Sequence, residues 1–372
     1  MAPVAAPALG VTPAAVGYFV TAVYLGSMIG TVTAGGWVGR FGPIRVSQVG
    51  LVLCLAGLAT AASGALPLVL VGALLLGLGY GPATPASSLI LARTAPSHLV
   101  ALMFSIKQTG VPLGTAIAGA AVPVLVLALG WQGAALAIGA ACALCAVALV
   151  PVRARYDDAR NPKAPVSLAS AFAPVGLIVR DRQLLELSLI SFIYAGMQIT
   201  LIAYLVTFLV ESFALSLVLA GMVMAASQLT SVAARVAWGV FADRVATRRA
   251  TLGLLGIGMG ATAALAVTAG PHWPLWALFA FAMALGATAV GWNGVFLAEI
   301  ARRAPPDRIS DATGGSAFFT FLGVVVTPPL FNLVLQATSS YGMTYALLGL
   351  PALACGVRLL LTSKIVRDAT HS

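Results

Sequence analysis

Acidic side chains are scarce in this chain and confined to its later part. Ten of its 372 residues are Asp or Glu, and all ten lie at or beyond Asp157. Charge of either sign makes up 8% of the residues, against about a quarter in an ordinary soluble domain. With 60% hydrophobic residues and a mean hydropathy of +1.02, that deficit excludes a soluble globular protein. The three histidines, at 98, 272 and 371, fall in loops or at the tail. No Ser–His–Asp or metal-ligand cluster accompanies them, so neither an enzyme nor a bound metal or cofactor is expected. Cys142 and Cys145 form a C-x-x-C inside an apolar run with no His or Asp nearby, which reads as small filler. The opening MAPVAAPALGV has neither a charged start nor a sufficient apolar core for a cleavable signal peptide.

What the chain does have is apolar runs long enough to cross a bilayer as helices, repeated along its whole length. They show no period-two alternation, so a barrel is excluded and an all-α polytopic membrane protein is expected. Eleven spans are read: 14–35, 46–66, 68–91, 100–127, 132–151, 184–209, 217–240, 250–270, 273–299, 313–336 and 341–361. The net charge of +10 is not spread evenly. Arg40 and Arg45, Arg93, the 153–182 segment, Arg244 to Arg249, Arg302 to Arg308, and Lys364 with Arg367 sit in alternate connections. The intervening connections contain no Lys or Arg. That asymmetry puts the basic loops in the cytoplasm of a bacterial inner membrane, with His272, Trp273 and Trp276 at the outer interface. The basic charge orients the protein in the lipid bilayer and does not bind nucleic acid.

The chain also repeats itself. GGWVGRFGPIR (35–45) and GVFADRVATRR (239–249) both follow one span and lead into the next, 204 residues apart. LGLGYGPATPASSLILARTAP (76–96) and LGATAVGWNGVFLAEIARRAP (285–305) echo each other at 209. Two halves of like topology indicate a duplicated transporter architecture, with bundles at 1–150 and 184–372 joined by 151–183. The second half has one more span before its motif than the first. The sequence reading is therefore eleven helices, five plus six, with a first helix missing and a misplaced start as the expected cause. The N-terminus, with Pro3, Pro7 and LGVTP, reads as the tail of a helix plus a loop. In the linker, Leu168, Phe172, Val175 and Val179 recur at helical spacing, so a helix in the inner interface and a plain cytoplasmic linker both remain open.

The paired loops resemble the Gly-x-x-x-Asp-Arg-x-Gly-Arg-Arg signature of the major facilitator superfamily, found between the second and third helices of each half. The second copy keeps Gly239, Asp243, Arg244, Arg248 and Arg249, with Ala246 where Gly is usual. The first keeps Gly35, Arg40, Gly42 and Arg45, but has Gly39 in place of the acid. The resemblance implies a fold of two pseudo-repeated helical bundles. It also implies a latch in which the acid and the basic residues hold the halves when the cavity faces outward. Asp243 can serve that latch, and can also meet the N-terminus of a neighbouring helix. Gly39 cannot, so an asymmetric latch is expected. Gly35 and Gly239 would allow close helix approach.

Lys107 is the sharpest feature. It lies about 10 Å into the span 100–127 at 1.5 Å per residue. An intramembrane lysine usually faces a polar pathway; the alternative is a stem that snorkels to the inner headgroups. Gln108 and Thr109 make the site locally polar, and Gly110 and Gly114 of GVPLG would permit close packing. Arg235 shares one helical face with Met224, Gln228 and Ser231, and either faces the pathway or pairs with Glu299 or Asp243. Tyr24, Tyr194 with Gln198, and Trp292 with Asn293 complete the candidate substrate-binding set. A pathway with cations and almost no acid should carry positive potential and favour a small anion. SIKQTGVPLG is also similar to the branch of the family that includes cyanate and other anion permeases.

The expected function is a monomeric permease for a small organic or inorganic anion, working by alternating access. Proton co-transport would offset the anion's charge, though no proton carrier can be named. A multidrug or metabolite exporter, a non-transporting receptor of the same fold, and an inactive fragment stay open as alternatives.

Overall fold

A computed structural model describes residues 5, 8–11, 16–158, 160–162, 172–270 and 273–369. Among them there is no strand, and ten helices are long and apolar enough to cross a membrane. In chain order the helices are α1 (Val16–Phe41), α2 (Pro43–Ala61), α3 (Leu66–Tyr80), α4 (Ala83–Thr94) and α5 (Val100–Ala148). After a single turn at Arg153–Tyr156 come α6 (Ala173–Arg180), α7 (Arg182–Phe213), α8 (Leu217–Arg244) and α9 (Arg248–Leu265). The last four are α10 (Leu275–Ala289), α11 (Asn293–Arg303), α12 (Ile309–Thr338) and α13 (Tyr341–Ala369). The eleven expected spans map onto these helices with three adjustments.

First, the spans expected at 100–127 and 132–151 lie within α5 as two helices that abut at Gly130, whose φ of 70° and ψ of 174° are not helical. Only glycine takes that conformation without strain. Second, the span expected at 68–91 is broken between α3 and α4 at Gly81–Pro82. Third, the span expected at 273–299 is broken between α10 and α11 at Val290–Trp292. These two breaks fall at matching places in the sequence repeat. Interrupted helices at corresponding positions of two halves are a pointer to a transport site.

By internal contacts the chain divides into two compact units. The first comprises 1–94, 114–185 and 303–321; the second comprises 95–113, 186–302 and 322–372. The division by contacts therefore differs from the division by sequence repeat at two segments. The start of α5 packs with the second unit, and the start of α12 packs with the first.

Small residues set the helix spacing in both units. In the first, a Cβ at Gly57 would lie 2.6 Å from the Gly72 carbonyl oxygen, and one at Gly72 2.4 Å from that of Gly57. In the second, α9 and α13 meet the same way at Gly253 and Gly356. Lipid offers apolar side chains no gain from burial, so helices there associate through close backbone approach. GVPLG departs from this rule. A Cβ at Gly110 or Gly114 would meet no described atom within contact range, so the expected close packing is not present.

In the linker, α6 is a short helix whose buried residues are Pro174 and Ile178. They pack against Gly315 near the start of α12. Of the residues recurring at helical spacing, Phe172 and Val179 are exposed and Val175 is half-buried, and Leu168 lies outside the described residues. The tail and loop expected near Pro3, Pro7 and residues 12–15, and His272, also lie outside them. Trp276 is exposed.

Candidate functional site

Every member of the expected binding set except Tyr24 belongs to the second unit. Tyr24 belongs to the first, where its ring packs against Phe321 with centroids 5.8 Å apart.

Lys107 stands two turns into α5. Its Nζ is enclosed by protein and has no hydrogen-bond partner among the described residues. It therefore does not snorkel. A single ammonium group held this way is costly, by several kcal/mol after relaxation, unless a counter-charge joins it. The neighbouring Thr109 donates its hydroxyl to the Ile106 carbonyl at 2.6 Å.

Arg235 has a different role. Its Nε donates to the Val290 carbonyl at 2.9 Å, and its Nη1 donates to the carbonyl of Gln108. It is buried, 1% exposed. One side chain thus ties α8 to α5 next to Lys107 and to the break between α10 and α11. Arginine suits this brace because its planar fork offers several donors at fixed angles. Glu299, on α11, is buried and accepts from Arg302 Nε and Nη2 at 2.9 and 2.8 Å.

The break carries more polar groups. Asn293 Nδ2 donates to Gln198 Oε1 at 2.9 Å, which joins α11 to α7. Beside it, the indole of Trp292 is fully buried, and its Nε1 finds no acceptor among the described residues. Tyr194 meets that indole edge-on at 5.7 Å and donates its hydroxyl to the Leu252 carbonyl at 2.8 Å. The Tyr194 ring is buried and its hydroxyl is engaged by that carbonyl. Gln228 contacts Met224 Sδ at 4.0 Å, and its carbonyl accepts from Ser231 Oγ at 2.7 Å.

The signature loop of the second unit caps a helix. Asp243 accepts from the Ala101 and Leu102 amides at 3.1 and 2.8 Å, with both oxygens used. Arg248 lies 3.3 Å from the same carboxylate. Gly239 makes room for the start of α5: a Cβ there would stand 2.9 Å from Leu102 Cα. Arg249 turns away to Glu186, which also accepts from Arg358. A carboxylate at a helix N-terminus satisfies orphan amides and favours the helix dipole. Asp243→Ala is expected to lower stability by about 1–2 kcal/mol. Thermal unfolding in detergent measures this, and an unchanged midpoint would dismiss the cap.

In the first unit Gly39 leaves the corresponding acid position empty, and two other acids occupy the neighbourhood. Asp157, from the linker, accepts from the Ile44 and Arg45 amides at 2.8 and 3.2 Å, capping α2. Gly42 adopts φ 93°, and a Cβ there would stand 2.3 Å from Asp157 Cγ, so both the conformation and the space require glycine. Burial pushes the Asp157 carboxyl up, and the Ile44 amide and Arg153 draw it back in part. Asp311, near the start of α12, fills the space over Gly35 and pairs with Arg308 at 2.9 Å. Arg40 lies over the Phe41 ring at 5.4 Å. Sequence reasoning missed both acids, since neither belongs to the motif; only the positive-φ glycine before α2 hinted that something sits against it.

Matching this arrangement of broken helices and paired loops, the family model of the Major Facilitator Superfamily fits residues 1–328. The chain belongs to that superfamily. It is a multi-pass membrane protein of the major-facilitator fold. No curated protein matches the sequence. Among solved structures it is similar to the fucose:proton symporter FucP of E. coli. That match has 17% identity and TM-score 0.72, and covers 94% of this chain and 90% of FucP. The proton:xylose symporter XylE matches at 18% identity and TM-score 0.72, covering 96% of this chain and 88% of XylE. The human organic anion transporter MFSD10 (TETRAN) matches at 18% identity and TM-score 0.72, covering 95% and 88%. At these identities the likeness to the solved structures is one of fold.

Proposed function

We propose that this major-facilitator protein is a permease for a small organic or inorganic anion, and that Lys107 binds the anion's charge. The observation that carries the reading is the enclosed Nζ without a partner. A counter-ion that enters and leaves would relieve the unpaired charge in one state of the cycle and restore it in the next. Gln198, Asn293 and the Trp292 indole supply hydrogen-bonding groups at the helix break, and Arg235 positions the segment that bears Lys107. The absence of acid before Asp157 speaks against a site for cationic drugs. MFSD10, an organic anion transporter, has the same fold. In this proposal the protein works as a monomer by alternating access in a bacterial inner membrane, basic loops inside, and proton co-transport offsets the anion's charge.

Purified protein in proteoliposomes tests this. Labelled carboxylates and inorganic oxyanions should accumulate, and cationic dyes should not. Uptake of dyes with no response to any anion would overturn the reading in favour of an exporter. Saturable anion binding with no flux would point to a receptor.

A further inference from the structure

The first unit holds a cavity system that the transport reading leaves unused. A groove of about 550 Å³ runs between α1, α2 and α3, floored by Trp37, Phe41, Val49 and Leu53. At one end stand Arg45 and Arg153. The same two arginines also line a second cavity of about 430 Å³, which adds Arg160, Asp157 and Asp158. The first cavity is apolar along most of its length, and five of the seven residues lining the second are charged.

Each part has a distinct chemistry. The groove walls are exposed where a soluble protein would cover them: Trp37 is 43% and Val49 59% exposed. Trp37 and Phe41 stack at 5.6 Å and form a flat apolar wall. At the charged end three guanidinium groups face two carboxylates. One of those, Asp157, already spends both oxygens on the Ile44 and Arg45 amides. Arg45 stands 3.9 Å from it, too far for a close hydrogen bond. The end therefore keeps a positive balance, in planar donors suited to phosphate oxygens.

We propose that the groove and the charged cavity together bind one anionic phospholipid. The acyl chain lies along Trp37, Phe41, Val49 and Leu53, and the phosphate meets Arg45 and Arg153. The apolar length selects a lipid over a free phosphate ion, and the arginines select an anionic headgroup over a zwitterionic one. The placement fits the cytoplasmic leaflet, where anionic lipids and basic loops meet. This site is independent of the solute carried.

Native mass spectrometry in detergent, titrating phosphatidylglycerol against phosphatidylcholine of the same chains, tests it. Wild-type protein should retain one phosphatidylglycerol about tenfold more tightly than phosphatidylcholine. Arg45→Gln with Arg153→Gln should erase that preference. Val49→Trp, which fills the groove and leaves the arginines, should weaken retention of both lipids. Millimolar inorganic phosphate should not compete. Equal retention of the two lipids by wild type, or full retention by Val49→Trp, overturns the proposal. Displacement by phosphate overturns it too, and marks a soluble-anion site instead. If the double variant does not fold, acyl-brominated phosphatidylglycerol gives a second measurement. It should quench wild-type tryptophan fluorescence more than that of Trp37→Phe, and equal quenching counts against the site.

Discussion

Lys107→Met is expected to abolish anion uptake while making the empty protein more stable. The two effects have one cause. In the absence of substrate the ammonium is enclosed without a partner, and an apolar side chain of similar length removes that penalty. A gain of about 1–3 kcal/mol is expected, read as a higher unfolding midpoint. Transport depends on the same charge. Losing one partner of a buried, charge-assisted pair typically costs about 2–5 kcal/mol of binding. Anion affinity should then fall by about 30-fold to 4,000-fold, taking 1.4 kcal/mol per decade. Lys107→Arg keeps the charge and should keep part of the uptake. A stabilised variant that still carries anions would sink the assignment, and so would one that loses both stability and uptake, since that pattern marks a packing residue.

Arg235→Met should act in the opposite direction on stability. The guanidinium satisfies the Val290 and Gln108 carbonyls at the centre of the second unit. Methionine fills much of the volume but strands both acceptors. Each stranded buried carbonyl costs about 1–3 kcal/mol, so a total loss of about 2–5 kcal/mol is expected. Uptake should fall as well, because the segment bearing Lys107 and the break beside Asn293 lose their common tie. Arg235→Lys should recover little of either, since one ammonium does not reach two carbonyls with the fork geometry. Melting curves and initial uptake rates on the same preparations separate the effects. A variant with wild-type stability would show that the brace is dispensable.

The fold was largely legible because its signals are long. Each span needs about 20 apolar residues, and the repeat spaces them. The breaks at Gly81–Pro82 and Val290–Trp292 were harder, because both lie inside continuous apolar runs where hydropathy carries no mark of a bend. The site was legible only in part. Lys107 stood out by its cost, and its enclosure could not be read from spacing. Arg235 donates to the backbone carbonyls of Val290 and Gln108, acceptors that the sequence does not display. Tyr194 illustrates the same limit: its hydroxyl goes to the Leu252 carbonyl, a partner no side-chain pattern encodes.

The cap on α2 comes from Asp157, a residue between the repeats. The cap on α5 comes from Asp243, in the second repeat, although α5 begins in the first. Neither of these helix heads is therefore completed by the repeat that contains it. The first repeat made as a separate polypeptide would leave both sets of amides without their carboxylates.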